Sequence, residues 1–340
     1  MVKADPVQTH VARELKADAP LITCRFHPAG RFLFATGEDR AVVRWDLETD
    51  AEDAGKTLLK KHDSWVRGIA FSKDGETLIT AGYDDTLIWW AALAEKPEPI
   101  REVKAHEGWI RAVSVSSDGS LLASAGNDKV VKLWNVADGS FVRQCGGHER
   151  DVYSTFFHPS GEFLLSGDLK GQVHQWEVAS GKKVRSFDGT ALNTYNGGQQ
   201  VDFGGVRGID LSPDGKHLAF AGLHKATNPL GAVSQPLFLR FDWESQTLLR
   251  SHISEGVEGI GWRPIFHSDG FLIGCNGGKS GGQLLFWNAD NDATFHKFKV
   301  PDTARDFDLH QDGIQVATAH YDRTVRISKM AAKAGAETDK

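Results

Sequence analysis

A turn ending in glycine recurs seven times along this 340-residue chain, each time followed by a short apolar run that closes on one terminal position. The glycines are Gly30, Gly75, Gly119, Gly161, Gly215, Gly270 and Gly313; the terminal positions are Trp45, Trp90, Trp134, Trp176, Phe241, Trp287 and Ser328. Five of the seven intervals are 15 residues, and those of the fifth and sixth units are 26 and 17. From one terminal position to the next the step is 41 to 46 residues, broken once by a step of 65. A period of that length, kept from end to end, means side-by-side copies of one supersecondary unit in a single closed domain. Function is then to be sought on the rim and faces of a repeat protein.

Each unit reads as four short strands. In the third, Val113 and Val115 belong to the first strand, Leu121 to Ala125 to the second, Val130 to Trp134 to the third and Phe141 to Gln144 to the fourth. Asp118-Gly119 supplies the positive-φ turn between the first two. Four-stranded antiparallel units of this length are propeller blades, so the expected fold is all-β, a single seven-bladed β-propeller.

These residues resemble the WD-repeat (beta-transducin repeat) family, whose unit opens with Gly-His and closes with Trp-Asp. Trp45-Asp46 keeps the closing dipeptide and Gly147-His148 the opening one; Trp134-Asn135, Trp176-Glu177 and Trp287-Asn288 are near matches, whereas Phe241 and Ser328 depart from the pattern. The resemblance covers roughly residues 8 to 329. The last unit stops after its third strand, and the N-terminal THVARELKA looks like a fourth strand with no preceding three. As in WD-repeat propellers, Val11 to Leu15 should complete blade seven and remove its open edge. The expected domain is residues 8–330, followed by a small, charged, disordered tail, 331–340.

A repeated His, Ser/Thr, Asp, Trp set invites a catalytic reading. His62, Thr80, Asp84 and Trp90 recur as His106, Ser124, Asp128 and Trp134 with identical gaps; a third copy, His148, Ser166, Lys170 and Trp176, puts Lys in place of Asp. Read as catalysis, hydroxyl, imidazole and carboxylate suggest nucleophile, base and orienter. A hydrolase needs one reachable triad, whereas this set appears in adjacent blades with a Trp attached each time. The preferred reading is therefore the hydrogen-bond chain that the WD-repeat resemblance implies. Blade one has Ala17 and Ala35 at the His and Ser positions. GCNGGKSGG around Lys279 is one residue too short for a phosphate-binding loop and joins two strands instead of a strand and a helix.

The first strands point to a binding face. Large residues such as Ile69 and Phe71 alternate with small ones such as Gly68 and Ala70, which suits a crowded innermost strand. Where each first strand enters stand Ile22, Arg67, Arg111, Tyr153, Arg207, Glu258 and Arg305, with Trp65 and Trp109 two residues before two of them. Ring closure would gather four arginines at one mouth of the central channel. Arg and Trp dominate binding energy at interfaces, and guanidinium suits carboxylate or phosphate. Two readings stand side by side: these residues face a ligand, or each Arg pairs with a neighbouring acid and each Trp packs between blades. The fifth unit adds two insertions on the same face, TALNTYNGGQQVDFGG before its first strand and HKATNPLGAVSQP between its second and third.

The expected function is a non-enzymatic scaffold that binds an acidic or phosphorylated protein or peptide partner on this face. The rival is an enzyme, small-ligand binder or metal binder using Asp210, Asp306 and Asp308 in the channel, although an Arg25–Asp308 ion pair would account for part of that cluster. Anionic sugar or nucleic acid at the mouth is a weaker third idea; a net charge of -6 argues against a general nucleic-acid coat. No cofactor, metal or membrane partner is expected: Cys24, Cys145 and Cys275 and the fourteen histidines lack zinc-site spacing, and no apolar run approaches a membrane span. Unpaired cysteines and the absence of an apolar leader point to the cytoplasm.

Overall fold

The computed structural model of the chain describes residues 3–49, 55–228, 233–288 and 290–333. Among these, seven antiparallel sheets of four strands each form a ring, and one two-stranded hairpin is added to it. The innermost strands touch in cyclic order, and Leu21–Phe26 of blade one meets Ala304–Leu309 of blade seven. All seven turn glycines sit at φ between 70 and 90°, the left-handed region a side chain disfavours.

Packing explains the small residues of the innermost strands. A Cβ at Gly68 would fall 2.7 Å from Val113 Cγ2 in the next blade and 2.9 Å from Ala81 Cβ, so the blades could not approach as they do. The terminal aromatics fill the spaces between sheets: Trp45, Trp90, Trp176, Phe241 and Trp287 are all buried. Cys24, Cys145 and Cys275 are buried free thiols in the same layers.

Strand Thr9–Lys16 closes the ring by pairing antiparallel with Thr324–Met330, from Thr9 opposite Met330 to Lys16 opposite Thr324. Leu15 enters a cluster with Leu21, Trp45 and Val325 that spans blades seven and one. Arg326 bonds Glu14 at 2.9 Å and Asp322 at 2.6 Å, fastening the added strand from its side chains as well. Most of the expected disordered tail, 334–340, lies outside the described residues.

One irregularity repeats around the ring. In six blades the register between the first two strands slips at one residue: Ile22, Arg67, Arg111, Tyr153, Trp262 and Arg305. In blade five the first strand begins at Gly208, and Arg207 stands in the same place, its N–H donating to Ala221 O at 2.7 Å. A bulge inserts an extra residue and re-aims its side chain.

Candidate functional site: an arginine and aromatic channel mouth

The repeated polar sets lie inside the blades. Trp90 Nε1–H donates to Thr80 Oγ1 at 2.9 Å, Thr80 lies 2.8 Å from His62 Nε2, and His62 Nδ1 lies 2.8 Å from Asp84. Because indole only donates and carboxylate only accepts, the hydroxyl accepts from Trp90 and Nδ1–H donates to Asp84. Blade three repeats this, with 2.8 Å from Trp134 to Ser124, 2.7 Å from Ser124 to His106 and 2.8 Å from His106 to Asp128. Burial pushes the Asp84 and Asp128 carboxyls up, but their histidine partners and backbone N–H donors outweigh it and hold both below the ordinary value. The hydroxyls of Thr80 and Ser124 are fully buried, so no substrate reaches them.

Blade four completes its set differently from the spacing. The carboxylate at His148 Nδ1 is Asp168, at 2.9 Å, two residues before the Lys170 that occupies the expected position. Lys170 turns outward to Asp202 at 2.7 Å. In blade one Trp45 Nε1 has no hydrogen-bond partner among the described residues, in keeping with Ala35 beneath it. In blade seven Thr318 bonds His320 Nε2 at 2.7 Å, and Ser328 occupies the terminal place.

The bulge residues converge. Ile22, Arg67, Arg111, Tyr153, Arg207, Trp262 and Arg305 line one cavity of 120 Å³ at the channel mouth, together with Trp65 and Tyr83. Glu258 is not among them: it pairs with Lys279 at 3.0 Å, and Trp262 takes the mouth position four residues later. Gly259 and Gly261 imitate the small residues of an innermost strand, but the bulge falls at Trp262, after them. The sequence does carry a signal for it: every bulge residue at the mouth stands 8 positions before its turn glycine, as Trp262 does before Gly270, whereas Glu258 stands 12 before it.

Aromatic faces carry the guanidinium groups. Arg207 lies 4.1 Å and Arg111 4.5 Å from the Tyr153 ring centre, on which both stack, and Arg67 lies 5.3 Å from Trp262. Tyr83 and Trp109 stack at 4.5 Å, with Arg111 over both. Trp65 and Trp109 are 43% and 46% exposed, so neither is packed away between blades. Among the described residues, only Arg305 of the four arginines holds a carboxylate, Glu38 at 2.6 Å. Arg67 donates to Ile22 O at 3.0 Å and Arg111 to Asn127 Oδ1 at 2.5 Å. The Arg207 guanidinium has no hydrogen-bond partner among the described residues, and its Nε is buried. Burial lowers the pKa of Arg207, and the charges of Arg111 and Arg67 push the same way.

Below the mouth the channel widens to a cavity of 390 Å³, but its carboxylates are engaged. Asp306 pairs with Arg25 at 2.6 Å and accepts from the Thr23 hydroxyl, while Asp308 accepts from Phe26 N–H and pairs with Arg263 at 3.0 Å. The expected Arg25–Asp308 pair is thus replaced by Arg25–Asp306: Asp308 is taken by Phe26 N–H and Arg263, and Arg25 reaches the carboxylate that Thr23 also binds. Asp210 accepts from Phe266 N–H at 2.7 Å, and burial raises its pKa to about 6. Among the described residues no group of three or more His, Cys, Asp or Glu is placed to hold a metal ion.

The first blade-five insertion forms a hairpin, Asn193–Asn196 with Val201–Gly204. The second lengthens the next two strands to His217–Asn228 and Val233–Asp242; its tip, 229–232, lies outside the described residues. Both stand on the mouth's side, since the cleft between them shares Tyr153 and Arg207 with the mouth.

The family model for "WD domain, G-beta repeat" matches residues 10–46, 55–91, 97–135 and 139–177. Transcription initiation factor TFIID subunit 5 of Caenorhabditis elegans is 25% identical over 152 residues, 45% of this chain and 22% of that protein. A probable cytosolic iron-sulfur protein assembly protein, the CIAO1 homolog of the same organism, is 38% identical over 72 residues, 20% of this chain and 21% of that protein. Nuclear distribution protein PAC1-1 of Uncinocarpus reesii is 32% identical over 73 residues, 22% of this chain and 14% of that protein. The matches span about a fifth or less of each relative's length. No helix among the described residues is long and apolar enough to cross a membrane.

Proposed function

From the premise that this chain belongs to the WD-repeat propeller family, we propose that it is a non-enzymatic scaffold whose arginine and aromatic mouth docks an acidic or phosphorylated segment of a protein partner. The observation that carries this reading is that Arg67, Arg111 and Arg207 converge on one opening and none of them is in ion-pair contact with a carboxylate among the described residues. Exposed indoles flank these charges, the combination that anchors protein interfaces. Two relatives are named as a subunit and as an assembly protein, which agrees with work inside multiprotein complexes. The channel rival loses support because its three aspartates are occupied by arginines and backbone N–H groups. Buried free thiols suit a reducing compartment such as the cytosol. Residues 8–330 serve as the one domain that carries the site.

The test is a pull-down from cell extract with wild-type chain and an Arg67→Glu, Arg207→Glu variant. Loss of partners by a variant that keeps a cooperative melting transition above the assay temperature is the expected result. Full recovery by the variant would move the docking surface to the opposite face or the outer rim.

A further inference from the structure

Beside the mouth, the two insertions of blade five build a second cavity. Asp202 of the inserted hairpin, 7% exposed, receives Lys170 at 2.7 Å and Arg150 at 3.5 Å from blade four. Asn193 donates to Leu169 O at 2.9 Å, and Ala226 N–H of the lengthened strand donates to Thr194 at 3.3 Å. The hairpin is therefore fastened on both sides. Between it and the lengthened strands lies a cleft of 180 Å³, walled by apolar groups of Phe203, Leu223, Ala226 and Ile260. One layer of side chains, Tyr153 and Arg207, separates cleft from mouth and lines both.

Arg207 stands at that boundary, and its guanidinium is unpaired among the described residues. Stacking on Tyr153 orients the guanidinium plane, and its fork matches the two oxygens of one carboxylate. The other mouth arginines already donate to Ile22, Asn127 and Glu38, which favours a carboxylate over the more donor-hungry phosphate. In an extended chain, side chains on one side recur every two residues, about 6.6 Å apart, a step that can place one side chain on each side of a single side-chain layer.

We infer that mouth and cleft form one bipartite docking site for an extended peptide segment, in which an Asp or Glu carboxylate pairs with Arg207 and an apolar side chain two residues away fills the blade-five cleft. This rests on the docking face proposed above and adds what that face selects.

The experiment is selection of a random, unphosphorylated phage-displayed peptide library on the full chain. Titration of the best synthetic peptide then follows against wild type, Arg207→Ala and the cleft-filling Ala226→Phe. The enriched peptides should share an acidic and an apolar residue in i, i+2 spacing, and each variant should weaken binding at least tenfold. Replacing the peptide acid by its amide should cost wild type as much as Arg207→Ala does and cost Arg207→Ala nothing further. If Ala226→Phe melts early, Ile260→Trp fills the same cleft from its other wall. Acidic peptides that depend on the arginines but ignore both cleft variants would overturn the bipartite site and leave the docking face standing. A phosphoserine version that binds where the carboxylate does not would overturn the carboxylate assignment. No enrichment, or enrichment indifferent to every mouth arginine, would overturn both.

Discussion

At the scale of single residues, the blade interiors are governed by donors and acceptors that must all be matched. His106→Ala and Asp128→Ala should each destabilise by about 1 to 3 kcal/mol, since each leaves a polar partner unpaired at a part-buried or buried site. In urea titrations the double variant should cost less than the sum, because both belong to one chain of bonds. Strict additivity would break the network assignment. In blade four the same cost should fall on Asp168→Ala, whereas Lys170→Ala should leave global stability nearly unchanged and loosen only the hairpin held through Asp202. That division was not legible in the sequence. The constant gaps located the histidine, hydroxyl and indole, but carboxylates two or four residues beyond the hydroxyl can reach the same Nδ1, so spacing alone assigned Lys170 and missed Asp168. Asp210 supplies a pH test. Burial raises its carboxyl from 3.8 to about 6, against the opposing Phe266 N–H and Arg263. Between those values the folded chain binds more of the proton than the unfolded chain, so this group's contribution to stability falls as pH rises from about 4 to 6. Asp210→Asn keeps an acceptor for Phe266 and removes the titration. Its melting temperature should therefore rise relative to wild type across that window and stay level above it. A constant offset from pH 4 to 7 would refute the shift.

At the scale of elements, strands and turns were readable because alternation and turn glycine are local physics, and closure was readable because THVARELKA is a strand without neighbours. Bulges were not readable from alternation. A bulge residue lies outside the alternation that defines its strand, so alternation points to Glu258 and only the constant step of 8 residues to the turn glycine marks Trp262. Inter-blade clasps on the opposite face were also missed: His27 bonds Gly75 O at 2.9 Å and His267 bonds Gly313 O at 2.7 Å, contacts that link one repeat to the next and leave no period within either. Removing residues 1–18 tests closure directly. It strips the partner of Thr324–Met330, takes Leu15 out of its cluster and leaves an open edge with unpaired N–H and C=O groups. The truncated chain should aggregate or melt well below wild type. A monomeric elution profile with an unchanged melting curve would show that the ring does not depend on this strand.

At the scale of the whole molecule, ring closure turns a repeat in sequence into a cluster in space. Arg67, Arg111, Arg207 and Arg305 are separated by up to 238 residues in the chain and yet line one cavity of 120 Å³. The net charge of -6 makes this cluster a positive spot on an acidic body. Channel charges do not cancel it, since Arg25 and Arg263 are spent on Asp306 and Asp308 one level below. An acidic segment is then repelled by most of the surface and drawn to the mouth, so the field should act on encounter more than on residence. Screening shortens its reach from about 30 Å at 0.01 M salt to about 8 Å at 0.15 M. For an acidic peptide selected on the wild-type chain, the association rate measured by surface plasmon resonance should fall steeply over that range while the dissociation rate changes little. Arg67→Glu with Arg111→Glu should flatten or invert the salt dependence of association; both side chains are part-buried, so the rates are compared below the variant's own melting transition. Equal salt slopes for variant and wild type would mean that the mouth does not steer the partner, and that any affinity arises on another part of the ring.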